Sequence, residues 1–378
     1  MKIKRTLMLQ LERFLLPGKV LVLYGPRQVG KTTLVQDFLN QVELRSRFVN
    51  AETFNNREAL SSQSVQKLKA LLGDAELLVI DEAQKVPNIG INLKLLVDTF
   101  PDVKVIATGS ASFDLANKLS EPLTGRKFTF TLYPVSYREL CESMPPIDVR
   151  GELERWIIWG GYPAITTTDD LVLRETMMNE LVSSYLYRDI LEMEGIRHSD
   201  KIIDLLRLLA YQIGQEVSIA ELGTNLSMNR RTVMRYLELL EKSFVIYRVG
   251  GFSRNLRKEI IKNARYFFYD NGVRNSLIQN FNPLRYRDDV GMLWENYLMT
   301  ERRKTNQAQH RSVNAYFWRT YDQKEVDLIE EYGGVLHGYE FKWRNGAIKE
   351  ATRREFTETY PNSELHVINQ ENFESFIL

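Results

Sequence analysis

Over the first third of the chain, short apolar runs alternate with stretches whose apolar residues recur every three or four positions. The runs Val20 to Tyr24, Phe48 to Ala51, Leu77 to Ile80 and Lys104 to Thr108 read as strands buried on both faces. Between them, Leu34, Val35, Phe38, Leu39 and Val42, and then Val65 to Leu72, carry helical spacing. Strand and helix in turn predict an α/β fold with a parallel sheet, closed by the alternating strand Lys127 to Tyr133. The N-terminal stretch MKIKRTLMLQLERFLL starts basic but is interrupted by Gln10, Glu12 and Arg13, which makes it an amphipathic helix rather than a signal peptide.

Beyond Pro134 the pattern changes. Val135 to Ile196 is helical, broken by Gly160, Gly161, Pro163 and the turn Thr166 to Asp170; the spacing within Leu181 to Glu194 makes Tyr185 and Tyr187 packing residues. Asp200 to Gly214 is a helix, Ser218 with Glu221 caps a second, and a tight turn at Leu226 to Met228 leads to a third, Asn229 to Lys242. On the third, Val233, Tyr236, Leu237 and Leu240 form the buried stripe while Arg230, Arg231, Met234 and Arg235 face outward. Two strands follow, Phe244 to Val249 and Arg265 to Tyr269, and helix, turn, helix and hairpin together spell a winged helix. The last stretch opens with a loop and short helix, Asn271 to Asn282, and a longer helix from Asp289 to Lys304. Its strands are Ala315 to Arg319, Glu325 to Glu330, Val335 to Trp343 and Leu365 to Ile368. The expected domains are therefore 1–134, an α/β domain; 135–199, a helical segment; 200–270, the winged helix; and 271–378, a C-terminal α/β domain.

Composition narrows the function classes. The 378 residues hold 50 basic and 49 acidic side chains for a formal charge of +1, so no global field draws the chain to nucleic acid or membrane, and any such site is local. The single cysteine, Cys141, excludes an internal disulfide and a cysteine-cluster zinc site and fits a reducing compartment, so a cytoplasmic location is expected. His198, His310, His337 and His366 are too far apart in sequence to make a recognisable metal motif. No stretch approaches an uncharged membrane span.

The chemistry begins where the first strand breaks. Gly25, Pro26, Arg27, Gln28, Val29, Gly30, Lys31, Thr32 and Thr33 form a phosphate-binding loop between a strand and a helix. Its backbone N–H groups and the helix N-terminus point at phosphate oxygens, Lys31 reaches the β/γ-phosphates, and the Thr32 hydroxyl ligates Mg²⁺, which predicts ATP with Mg²⁺ as cofactors. Asp81 and Glu82 close the strand Leu77 to Ile80, at the edge where parallel sheets bind ligands; there Asp81 holds Mg²⁺ and Glu82 polarises the attacking water. Thr108 or Ser110 either senses the γ-phosphate or caps a helix at Phe113. Arg126 is either an arginine finger, in cis or across a subunit boundary of a homo-oligomer, or a plain surface residue.

The segments GPRQVGKT, LLVIDEA, VIATGSAS, LTGR with TLYPVSYREL, and GGYP resemble prokaryotic AAA+-related ATPases that carry a winged helix and a restriction-endonuclease-like C-terminal domain. The resemblance covers nearly the whole chain. It implies a sheet in which the sensor strand lies between the P-loop strand and the acidic-pair strand. It assigns phosphate and metal to Lys31 and Thr32, metal and water to Asp81 and Glu82, sensing to Ser110 and the arginine finger to Arg126. In the C-terminal domain, Asp327, then Glu340 and Lys342 on the neighbouring strand, with Glu295 on a helix, match the arrangement by which such nucleases bind Mg²⁺ and activate water. Read from the residues alone, Glu-x-Lys is an ordinary solvated ion-pair face. Arg230, Arg231 and Arg235, with a basic wing of Arg248, Arg254, Arg257, Lys258, Lys262 and Arg265, are candidates for DNA contact; against this, winged helices also serve as internal spacers. The function expected is an ATP-hydrolysing switch coupled to DNA and a nuclease-like domain, or else a nucleotide-dependent scaffold whose C-terminal domain binds a protein partner.

Overall fold

The structure, a computed structural model, describes residues 3–110, 122–185, 199–253 and 264–378. The chain forms two compact units, residues 4–134 with 242–244, and residues 1–3, 135–241 and 245–378. Each holds one sheet.

In the first unit, β1 (Val20–Tyr24), β2 (Ser46–Asn50), β3 (Leu77–Asp81), β4 (Lys104–Gly109) and β5 (Lys127–Thr131) lie in the order β2-β3-β4-β1-β5. All four pairings are parallel. The sensor strand β4 thus separates the P-loop strand from the acidic strand, as the resemblance implied. Every residue of β1 and β3 is buried, which is why both read as unbroken apolar runs. The helix Leu7–Phe14 lays Leu7 and Leu11 into a core shared with Leu21, Leu23, Val35, Phe38 and Val79. Each fully buried leucine contributes about 2 kcal/mol of transfer free energy there. Two helices that the apolar spacing does not announce, Phe54–Ser61 and Ile89–Thr99, complete the described elements. Ser112 and Phe113 lie outside the described residues.

The glycine that opens the P-loop is fixed by a backbone neighbour. Gly25 has φ +152°, and a Cβ there would stand 2.3 Å from the Leu132 carbonyl oxygen. Leu132 N–H donates to the Tyr24 carbonyl at 2.7 Å, so the end of β5 and the start of the loop are in direct contact.

In the second unit, β6 (Glu216–Val217), β7 (Ile246–Gly251), β8 (Ala264–Phe268), β9 (Ala315–Arg319), β10 (Glu325–Tyr332), β11 (Val335–Phe341) and β12 (Ser363–Ile368) form one sheet, in the order β12-β11-β10-β9-β7-β8-β6. The parallel pairing of β7 with β9, Gly250 with Tyr316 and Gly251 with Phe317, carries the sheet across the expected boundary at residue 270. The helices Ser199–Tyr211, Ile219–Leu226 and Arg230–Lys242 precede the hairpin β7–β8, and β6, too short to show in the apolar pattern, pairs antiparallel with β8. The long helix Val290–Ala308 is tied to β8 by Asn296, wholly buried, which accepts from Phe268 N–H at 2.8 Å and donates to its carbonyl at 3.0 Å. The GGYP segment has a similar job. Gly161 N–H donates to the Asp270 carboxylate at 2.7 Å, and a Cβ on Gly160 would stand 1.9 Å from that carboxylate. Burial pushes Asp270 up to about 6.

Candidate functional site

At the C-terminal ends of β1, β3 and β4, the first unit brings its polar side chains together. Gly30, at φ +93°, turns the chain into the helix Lys31–Leu39, whose first N–H groups face the loop. Lys31, 6% exposed, donates to the carbonyls of Gly25 and Pro26 at 2.9 and 2.7 Å and so lies over the loop. The Thr32 hydroxyl donates to Asp81 Oδ2 at 2.9 Å, and the Thr108 hydroxyl donates to Asp81 Oδ1. The hydroxyl and carboxylate that would share a metal are therefore adjacent, and an all-oxygen donor set of this kind fits Mg²⁺. Glu82 sits beside them in a left-handed backbone conformation, φ 56°, and Gln28 within the loop has φ 58°. Non-glycine residues held there carry strain of about 1 kcal/mol or more and cluster at working sites.

Three features depart from the expectations. Gln84 carries no motif, yet its amide donates to Glu82 and, at 3.0 Å, to Ser110 Oγ, a side-chain path from the end of β4 to Glu82. Arg5 is likewise unmarked by anything local. Its guanidinium donates to the carbonyls of Val29 at 2.9 Å and Tyr133 at 2.5 Å, pinning the P-loop to the chain beyond β5. Arg126 is a correction. It precedes β5, its carbonyl accepts from Val20 N–H at 2.8 Å, and its side chain pairs with Asp98 at 2.7 Å. Val20 pairs with Lys127 and the P-loop begins at Gly25, so Arg126 stands roughly 20 Å from the loop along the strands (six residues at about 3.3 Å each), at the opposite edge of a parallel sheet. A finger acting in cis is not compatible with that place.

In the second unit, Glu295, Asp327, Glu340 and Lys342 do converge, around a residue expected on the wing. Arg265 does not belong to a DNA-facing surface. It is 3% exposed, and its guanidinium reaches Glu325 at 2.7 Å, Glu295 at 3.5 Å and Asp327 at 3.7 Å while lying 4.5 Å from the ring of Phe317. The cause is the position of β8, which is flanked by β7 and β6 and buried throughout. Lys342 donates to Glu340 Oε1 at 2.6 Å, Phe341 N–H donates to Asp327 at 2.8 Å, and Glu340 Oε2 is buried with no partner. Four carboxylates, Glu295, Glu325, Asp327 and Glu340, crowd around Arg265 and Lys342. Burial, reinforced by the charge of Glu340, pushes Asp327 up to about 7; burial and then Asp327 push Glu295 well above the carboxylate range. Oxygen donors crowded together and one orphaned carboxylate oxygen fit a divalent cation that would displace the protons of Asp327 and Glu295, with Arg265 as its competitor.

Arg230, Arg231 and Arg235 are exposed on the helix Arg230–Lys242, with Val233, Tyr236, Leu237 and Leu240 buried on its other side. Arg248 is exposed as well; Arg254, Arg257, Lys258 and Lys262 lie outside the described residues. A second correction concerns histidine. Parallel pairing of β11 with β12 sets His337 opposite Glu364 and Tyr339 opposite His366, so two histidines that are remote in sequence meet. Among the described residues no helix is long and apolar enough to cross a membrane.

Residues 17–141 match the model of an AAA domain. The first unit carries an AAA-type P-loop ATPase domain. Residues 150–284 and 290–376 match two domains of unknown function (DUF8612 and DUF4143). An uncharacterized protein of Mycobacterium tuberculosis is 28% identical over 343 residues, covering 88% of this chain and 72% of its own length. One from Methanocaldococcus jannaschii is 23% identical over 335 residues, covering 83% and 73%. Among solved structures, a signal-transduction ATPase with numerous domains and a tetratricopeptide repeat sensor from Pyrococcus horikoshii aligns at a TM-score of 0.31 and 14% identity. The alignment covers 82% of this chain but 48% of that one, so the chain spans about half the length of that structure.

Proposed function

We propose that the protein is an ATP-hydrolysing switch whose nucleotide state is read out by its second unit. The observation that carries this reading is the Thr32–Asp81 hydrogen bond at the strand ends of a sheet ordered β2-β3-β4-β1-β5, with Glu82 next in sequence. In it, loop N–H groups and Lys31 hold the phosphates of ATP, with Thr32 and Asp81 turned to the metal. Thr32 and Asp81 would hold Mg²⁺, which would offset the charge of the phosphates. Glu82 orients the attacking water, and the Ser110–Gln84 pair registers whether a γ-phosphate is present. An arginine finger, if this reading extends to one, is Arg126 supplied by another copy of the chain.

The second unit supplies the readout. The exposed Arg230, Arg231 and Arg235 on the third helix of a winged-helix order, with β6 and the hairpin, support contact with duplex DNA. The convergence of Glu295, Asp327, Glu340 and Lys342 supports a nuclease-like metal site in the C-terminal domain, where Lys342 would hold the attacking water. The deciding experiment is steady-state ATP hydrolysis with and without duplex and single-stranded DNA, using Lys31→Ala as the blank. A rate raised several-fold by DNA, with salt abolishing the rise, supports the coupled reading. Hydrolysis indifferent to every nucleic acid overturns it in favour of a scaffold that binds a protein partner.

A further inference from the structure

The meeting of His337, Glu364 and His366 is unlike the other charged clusters of the second unit, because two imidazoles converge on a single carboxylate oxygen. His337 Nδ1 lies 3.5 Å and His366 Nε2 3.4 Å from Glu364 Oε2, and all three atoms lie within 4.8 Å of one another. Hydrogen bonds from N–H to O cluster near 2.9–3.0 Å, about 0.5 Å shorter than these contacts. Ligand atoms about 2.1 Å from a tetrahedral ion, in contrast, are separated by roughly 3.4 Å. Both Glu364 contacts match that edge.

The surroundings prepare these groups. His337, with its side chain 14% exposed, is stacked on Tyr332 with ring centroids 3.9 Å apart and planes 12° apart. Tyr339 flanks His366 at 5.6 Å. Glu364 and His366 are 58% and 46% exposed and sit on β12, the last strand of the sheet, which leaves a path for an ion and a water. Two imidazoles and one carboxylate suit zinc, nickel or copper and not magnesium.

We propose that His337, Glu364 and His366 form a binding site for one divalent transition-metal ion of the zinc class, which clips β12 to β11 and keeps a fourth position open to water. The site is separate from the phosphate loop and from the carboxylate cluster around Arg265. The test uses the full chain stripped with a chelator and carrying Asp327→Asn, so that the carboxylate cluster offers no competing site. Zn²⁺ is titrated by calorimetry and Co²⁺ by visible absorption. One ion per chain is expected, with the intense bands of tetrahedral Co²⁺, a raised melting temperature, and affinity falling at least about tenfold in His366→Asn and in Glu364→Gln. Both substitutions are at exposed positions, so their melting temperatures in chelator should match that of the parent. Failure of the parent to bind either ion, or binding unchanged in both variants, would overturn the assignment.

Discussion

Replacing Arg265 by methionine isolates the electrostatics of the carboxylate cluster. The thioether keeps most of the buried volume beside Phe317 and removes the guanidinium that reaches Glu295, Glu325 and Asp327 together. Breaking a buried pair by deleting one partner costs roughly 3–5 kcal/mol, because the remaining charges stay buried. The pH dependence follows from the carboxylates. Both Asp327 and Glu295 lie above their ordinary range, so the folded unit holds protons that the unfolded chain releases. Their contribution is fully present below the ordinary carboxylate range and is lost as pH rises through about 7 for Asp327. Arg265 lowers both groups, so without it they rise further and the loss steepens. Urea unfolding followed by tryptophan fluorescence is the assay. All five tryptophans, Trp156, Trp159, Trp294, Trp318 and Trp343, lie in the second unit, so the signal reports the unit that carries the substitution. The expected loss is about 3–5 kcal/mol at pH 8, at least halved at pH 5.5, where protonation discharges the cluster. Arg265→Lys should recover only part of it, since an ammonium cannot fork between carboxylates. A loss below about 1 kcal/mol at pH 8, or one equal at the two pH values, would refute the argument. A larger Mg²⁺ stabilisation of Arg265→Met than of the parent would show that the guanidinium and a metal compete for one place.

Glu82→Gln should bind ATP as well as the parent and hydrolyse it about 10²-fold or more slowly, measured by filter binding and phosphate release. Gly25→Ala should destabilise the first unit by about 2–3 kcal/mol and weaken ATP binding, since its methyl would collide with the Leu132 carbonyl; thermal unfolding with and without ATP reads both. For Arg126→Ala the half-exposed pair with Asp98 is worth well under ~1 kcal/mol, so stability should hold, and ATPase at protein concentrations too low for self-association should be unchanged. The triple substitution of Arg230, Arg231 and Arg235 by alanine should weaken duplex DNA binding uniformly across sequences and reduce the salt slope by roughly one for each phosphate no longer neutralised.

What the sequence disclosed divides along the range of the interactions concerned. The phosphate loop, the acidic pair and the buried stripe of the helix Arg230–Lys242 are local: a few consecutive residues set backbone, periodicity and chemistry, and each element stands where its spacing put it. Arg5 is silent in the sequence because its work is to reach Val29 and Tyr133, 24 and 128 positions along the chain, and no pattern near residue 5 encodes that. Arg265 misleads for a related reason. On a free wing an arginine on a strand faces solvent, but β6 pairs with β8 on the side away from β7 and makes β8 an interior strand, which converts the same residue into the counter-charge of Glu295 and Asp327. That Glu340 and Lys342 share a face was legible from strand periodicity, and they pair at 2.6 Å; that Arg265 lies among their neighbours Asp327 and Glu295 was not. His337 and His366 show the same logic most simply. Twenty-nine residues separate them along the chain, and only the register that sets Tyr339 opposite His366 brings the second ring beside the first. A pairing register is decided by burial over whole strands, through Leu336 and Ile368 here, rather than by the residues that meet as its consequence.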